Sequence, residues 1–272
     1  MIDLQDVTFI IPVRIESHDR FRNVFLCCAY LLQSTNAKII IKESNSISIV
    51  SNVIEKLNNF GCDTERLKYL YEKTDETMFH RTRLLNEMLV ASETPIVVNY
   101  DCDILLPLHS YEQAANMCKN GHDLVYPYGF GDDVQFRMLL NEQEDVQNLI
   151  LSDFDLKMAK GFLWRAEYGF CQFFKKESYL NGFMENENFL AYGPEDVERA
   201  FRWMKLGYNV GRVEAKVYHM EHSRTENSNS SNPFMKSNEE LFEKLKRMSK
   251  DELVEYYKNQ SYLKKYSTGE DK

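Results

Sequence analysis

Three short apolar runs constrain the fold of this chain more than any other feature: TFIIPV at 8–13, AKIIIKE at 37–43 and PIVVNY at 95–100. They are rich in β-branched residues. A strand that is apolar at nearly every position must be covered on both faces, the condition of a parallel sheet between layers of helices. The intervening stretches supply those helices. The segment from Phe21 to Leu32 is long and apolar. Ile49, Val50, Val53, Ile54, Leu57 and Phe60 recur at helical spacing and stop at Gly61, and residues 80–91 repeat the pattern. LKYLYE at 67–72 adds a short strand. This alternation predicts an α/β domain with an open, mostly parallel sheet, whose ligands bind beyond the carboxyl ends of the strands.

Further along, residues 109–120 predict a helix closed by Gly121, and DLVYPYG at 123–129 a strand and turn. The polar, acidic stretch 132–160 reads as an insertion or rim. A helix over 194–206 and a strand near 212–218 complete the core. Leu241, Leu245, Met248, Leu253 and Tyr257, set among mixed charges, predict one or two surface helices with a tail that frays after about residue 266. The 33 Lys and Arg against 42 Asp and Glu give a net charge of -9, which argues against a broad nucleic-acid-binding face but leaves room for a local cationic pocket. The six cysteines form no CxxC pair, so no zinc knuckle, redox pair or disulfide scaffold is expected. Neither a signal peptide nor an 18-residue uncharged apolar window is visible. The expectation is a cytoplasmic protein whose membrane contact, if any, is peripheral; its oligomeric state is not written in the sequence.

Four constellations could carry chemistry. Asp101-Cys102-Asp103 follows the strand at 96–100; two carboxylates there suit Mg or Mn beside a diphosphate, or simply close the strand. In YGPEDVERAFRWMKLG, Glu195, Asp196 and Glu198 crowd a helix start, with Val197, Ala200, Phe201 and Met204 as the stripe expected to be buried. Those acids serve either as caps and surface pairs to Arg199 and Arg202, or as a rigidly held general base. His219-Met220-Glu221-His222 places two imidazoles three residues apart, as metal ligands or as structural histidines. Arg14, Arg81 and Arg83 are candidate phosphate clamps or ordinary surface arginines, and Phe79 a candidate base-stacking ring or a core residue.

Taken in order across residues 7–233, these stretches resemble the inverting beta-1,4-galactosyltransferase family of GT-A-fold glycosyltransferases. FIIPVRIES stands where that family has an IIPFRNR-like stretch, FHRTRLLN where it has FNRAKLLN, and DCDILLP at its DVD motif. EYGFCQFFKKESYLNGF is similar to its aromatic-glycine stretch, YGPEDVE to WGGEDDD, and HMEHSRTENSNSSNP to its metal-binding MIRHSR and following loop. The resemblance implies a GT-A nucleotide-diphospho-sugar transferase domain over 1–235, with a C-terminal helical extension over 236–272 packed on it. It implies that Mn2+, or Mg2+, is held by Asp103, His222 and His219, the last standing at a methionine ligand's place. It puts Pro12, Arg14, Phe79 and Arg81 around the nucleotide, Asp101 at the ribose, and Tyr192 between donor and acceptor. Glu195 and Asp196 fall on the acceptor-binding and catalytic pair, with Asp196 as base.

The implied reaction is single-displacement transfer of a hexose, galactose by resemblance, from a UDP-sugar donor to a hydroxyl of a saccharide or glycan acceptor. The chain departs from the family at Glu16, where an arginine is expected, and at Tyr192, Pro194 and Val197. Two other readings compete. A sugar-nucleotide nucleotidylyltransferase should carry a Gly-rich basic loop after the first strand, and PVRIESHDR at 12–20 has no glycine. A non-catalytic glycan- or nucleotide-binding protein has no need of both a metal cluster and a base.

Overall fold

The structure, a computed structural model, describes residues 1–131, 134–138, 140, 159–161 and 167–267. Its first half is the expected alternation: β1 (Val7–Val13), α1 (His18–Ser34), β2 (Lys38–Asn45), α2 (Val50–Asn59), β3 (Leu67–Lys73), α3 (Arg81–Ala91) and β4 (Ile96–Tyr100). Every residue of β1 and β4 is buried, as two-sided packing demands. The chain continues through β5 (Ile104–Leu105), α4 (Leu108–Lys119), β6 (Leu124–Tyr126), β7 (Gln135–Met138), β8 (Ala159–Gly161), β9 (Cys171–Lys175), α5 (Lys176–Asn181) and α6 (Glu195–Leu206). It ends with β10 (Val210–Arg212), β11 (Val217–Met220), α7 (Met235–Arg247), α8 (Lys250–Lys258) and α9 (Ser261–Ser267).

The main sheet runs β10-β6-β9-β4-β1-β2-β3, parallel except for β9, which lies antiparallel to both β4 and β6. β2 and β3 build outward on one side of β1, whereas β4 pairs on the other. The order therefore reverses at the β1–β4 seam, which opens a crevice beyond their carboxyl ends. A second sheet, β5-β11-β7-β8, includes a described part of the 132–160 stretch that the sequence reading treated as a rim. Most of that stretch lies outside the described residues, as do residues 268–272. Three C-terminal helices, rather than one or two, cover the domain. Leu245, Leu253 and Tyr257 bury against Phe189, with Leu241 and Met248 at the margin.

The α6 helix corrects the sequence reading. Of the expected apolar stripe only Ala200 is buried; Val197 and Met204 are exposed, at 40% and 50%. The buried face carries Glu195, Glu198, Arg199, Arg202 and Trp203 instead. Arg199 donates to both Glu185 oxygens at 2.8 Å, and Arg202 bonds Glu198 at 3.0 Å, the Met184 carbonyl oxygen at 2.8 Å and the Gly182 carbonyl oxygen. The outer stripe packs partly on α7, where Phe201 meets Phe242 edge to face. A helix with charged residues on its inner side misleads any reading that equates buried with apolar. Gly207 ends the helix in the left-handed region, as expected, at φ 90°.

This arrangement predicts an inverted mutational pattern. Arg202→Ala, which leaves Glu198 buried without its partner, should cost about 3–5 kcal/mol in denaturant unfolding. Met204→Ser, on the nominal apolar stripe, should change stability by no more than about 0.5 kcal/mol. The reverse ranking would show that α6 packs through its apolar side after all.

Candidate active site

The crevice at the β1–β4 seam is a cavity of about 560 Å³. It brings together Pro12, Arg14, Phe79, Arg81, Asp101, Asp103, Tyr192, Glu195, Asp196, His219 and His222, every residue to which the family resemblance gives a site role. Arg83 is elsewhere: it pairs with Glu72 at 2.9 Å and Glu87 at 3.0 Å.

On one side lies a histidine-carboxylate cluster. Its parts meet because β5 pairs antiparallel with β11, setting Ile104 opposite His219, while the Met220 N–H donates to the Asp103 carbonyl oxygen at 2.7 Å. The α1 helix secures the same corner, with Asn23 donating to the Met220 carbonyl oxygen. Asp103, His219 and His222 each offer one ligand atom, all within 4.8 Å of one another. His222 Nε2 is 2.9 Å and His219 Nε2 3.8 Å from Asp103 Oδ2. The other ring nitrogens face acceptors: His222 Nδ1 meets the Ser223 carbonyl oxygen at 2.8 Å, and His219 Nδ1 meets Glu221 Oε1 at 3.1 Å. An acceptor beside each Nδ1 can hold a proton there, which would leave each Nε2 free to ligate a cation alongside Asp103. Two such nitrogens and a carboxylate could hold a divalent metal cation. Burial by itself would raise the Asp103 carboxyl, but His219, His222 and Arg20 hold it well below the usual carboxylate range.

On another side lies a carboxylate group organised by two arginines. Arg81, the first residue of α3, bonds Asp101 Oδ1 at 2.7 Å, Asp196 Oδ1 at 3.4 Å and reaches Glu195 Oε1 at 3.7 Å. Arg199 also holds Asp196 Oδ1, at 2.5 Å. These contacts overcome the effect of burial and lower the Asp196 carboxyl. Glu195 behaves oppositely. Its Oε2 is buried without a hydrogen-bond partner, and burial together with the Asp196 charge pushes its carboxyl up to about 8. Gly169 lies close to the same group, where a Cβ would stand 3.3 Å from Asp196 Oδ2.

The remaining candidates border the opening. Arg14 lies 5.6 Å from the Phe79 ring centre and donates to the carbonyl oxygens of Ser44, Glu76 and Thr77, so most of its N–H groups hold the neighbouring loop. Tyr192 is 43% exposed at the cavity edge, and its carbonyl oxygen accepts from Asn232 and Asn238. Asn238 of α7 lies so close to Gly193 that a Cβ there would meet its Nδ2 at 2.6 Å. The C-terminal layer thus sets the loop that leads into α6. Asn227 and Arg20 carry no signal singled out in the sequence, and Glu16 is visible there only as a departure from the family pattern. Glu16 accepts from Thr225 and Asn227, and Asn227 also accepts from the Phe79 N–H, so the two side chains tie the 223–232 loop to the cavity edge. Arg20 also lines the cavity. The only signal for it was a second arginine in the polar stretch that follows β1.

No protein-family profile matches the chain, and no curated protein matches its sequence. Solved structures match in shape. The mannosyltransferase PcManGT from Pyrobaculum calidifontis, solved with GDP-Man and Mn2+, superposes with a TM-score of 0.50 at 15% identity, over 82% of this chain and 58% of that one. GalNAc-T7, solved with UDP, GalNAc and Mn2+, gives 0.57 at 13% identity, over 96% of this chain and 53% of that one. The fold is GT-A. The chain spans little more than half the length of either structure. The catalytic domain of Drosophila beta1,4galactosyltransferase 7 overlaps at a TM-score of 0.42 and 13% identity, over 79% of this chain and 71% of that one, which favours no branch of the fold.

The buried Glu195 carboxyl should leave a mark on stability. Because its folded value is raised from 4.5 to about 8, its contribution is fully present below about pH 4.5 and is lost as the pH rises through 8. Glu195→Gln cannot ionise. The variant should therefore melt several degrees above the parent at about pH 9, with the gap closing toward about pH 5. A difference in melting temperature that stays constant with pH would contradict this assignment.

Proposed function

We propose that this protein is a metal-dependent inverting glycosyltransferase that moves a hexose from a UDP-sugar to a hydroxyl group of a saccharide acceptor. One observation carries the reading: a single cavity of the GT-A fold holds both the Asp103-His219-His222 cluster and the Glu195-Asp196 pair. A binding protein needs no paired carboxyls of divergent acidity beside such a cluster. The choice of UDP and of galactose follows the sequence resemblance. The PcManGT and GalNAc-T7 structures, each holding Mn2+ with a nucleotide or nucleotide sugar, support a nucleotide-linked donor in general.

The chain's own residues divide the work. Asp103, His219 and His222 would hold Mn2+, or Mg2+, through one carboxylate oxygen and two Nε2 atoms. A divalent cation there would offset negative charge on the donor diphosphate and on the departing nucleotide. Phe79 and Pro12 flank the nucleotide, and Asp101, fixed by Arg81, faces its ribose. The two acceptor-side carboxyls are pushed apart in acidity and take different parts. Glu195, largely protonated near neutrality, orients an acceptor hydroxyl by donating a hydrogen bond. Asp196, ionised and aimed by Arg199 and Arg81, accepts the proton of the attacking hydroxyl as its oxygen bonds the anomeric carbon and the bond to UDP breaks. Its position rather than high basicity gives it that role. Tyr192 supplies a wall for the acceptor ring.

Among the described residues no helix is long and apolar enough to cross a membrane. Every cysteine is a free thiol, which fits the reducing cytoplasm in which we place the protein.

Calorimetric titration of UDP with and without Mn2+ tests the donor side; equal affinity in both conditions would remove the metal from the reading. Asp103→Ala and His222→Ala should each abolish most turnover, whereas Asp196→Asn should keep Mn-UDP binding and lose transfer by ~10²-fold or more. A screen of UDP-sugars against mono- and disaccharides, with the product anomer read by NMR, identifies the sugar. A product that retains the donor's anomeric configuration would overturn the single displacement.

A further inference from the structure

Four guanidinium groups line the cavity, those of Arg14, Arg20, Arg81 and Arg224. Three are engaged by the protein. Arg81 is shared among Asp101, Glu195 and Asp196. Arg14 donates to three carbonyl oxygens through Nε and Nη1, which leaves only its Nη2 buried without an acceptor, and Arg224 donates to the carbonyl oxygen of Ser228. Arg20 is different. Among the described residues its side chain makes no hydrogen bond or ion pair, and its Nε is buried with no acceptor. A buried donor without a partner is costly, and the half-buried Arg20 guanidinium on the cavity wall marks a place where a ligand atom can complete the structure.

Its surroundings say which ligand. The Arg20 backbone is pinned at the start of α1, where its N–H meets Asp19 Oδ1 at 2.8 Å. Its charge acts on Asp103 and Cys102, so it stands beside the histidine-carboxylate cluster without pairing to it. Glu16, four residues earlier on the same cavity wall, is an acid already engaged with Thr225 and Asn227, and it offers nothing to an anion. A planar guanidinium next to a cation-binding corner matches phosphate oxygens.

We propose that Arg20 is the residue that grips the donor's diphosphate, a proposal that rests on the nucleotide-sugar reading above. The test is calorimetry in Mn2+ with UDP and with uridine, on the wild type, Arg20→Gln and Arg20→Lys. Wild type should bind UDP far more tightly than uridine. Arg20→Gln should lose ~10-fold or more of its UDP affinity while uridine binding and the melting temperature hold, because only phosphate contacts are removed. Arg20→Lys should recover part of the loss, and it carries the test by itself if the Gln variant fails to fold. Should Arg20→Gln keep the full advantage of UDP over uridine, Arg20 is not the phosphate residue and the donor reading stands. A wild type that binds UDP no better than uridine overturns the donor reading and this proposal together.

Discussion

Keeping arginine inside the protein without a net loss is the constraint on which the rest of this structure depends. Arg199 and Arg202 are both fully buried, and an unpaired charge there would cost several kcal/mol. Each therefore requires fixed partners. Arg199 takes Glu185, whose carboxylate also accepts from Tyr179 and from Asn99 on β4, and whose main chain is clasped by Asn86 on α3. Arg202 takes Glu198, which Tyr257 of α8 reaches at 2.6 Å. With these pairs made, α6 has one rotation available. Asp196, in its first turn, consequently projects into the cavity at the place where Arg81 arrives from α3. The position of the site carboxylate is inherited from an ion-pair network in the core.

The histidine-carboxylate cluster depends on a different interaction, the pairing of β5 with β11. That short ladder joins Ile104 to His219 and Leu105 to Tyr218 across more than a hundred residues of chain. Between these two anchors the acids at the end of β4 and those at the start of α6 face one cavity. The C-terminal helices contribute without lining it. Asn238 accepts from the Leu190 N–H and donates to its carbonyl oxygen, which fixes the loop that enters α6. The helices α7 and α8 thus belong to the mechanics of the site as well as to its cover.

What the sequence made legible follows from how local each signal is. The apolar runs at 8–13 and 96–100 name their own burial, and DCD after IVVNY locates the crevice, because strand polarity and strand ends are short-range properties. Only the family resemblance joins Asp103 and His222 in one metal site; nothing in their spacing says that β5 will lie beside β11. The α6 helix was read with the wrong face inward, because Glu185 and Tyr257, which make its charged face buriable, lie outside the helix. Glu16 looked like a loss of charge complementarity; its service as an anchor for Thr225 and Asn227 is a contact across some two hundred residues. Arg20 was passed over for a similar reason, since a guanidinium without a partner is visible only after every other partner has been placed.

The cavity holds two electrostatic regimes built from the same residue types. Toward α6, the Asp196 charge is balanced by Arg81 and Arg199, while burial and the Asp196 charge favour the neutral form of Glu195. Toward β11, Asp103 is kept ionised by two imidazoles, which is a stable arrangement only while protons or a cation supply the opposing charge. Asp101 and Asp103 both face that half, so an anion entering it would gain from a cation beside them. Arg81 forms the boundary, because the same guanidinium bonds Asp101 at the end of β4 and Asp196 at the start of α6. Moving that one charge would change both regimes at once. The chain accordingly seats it at 15% exposure between three carboxylates, where no single ligand can draw it away.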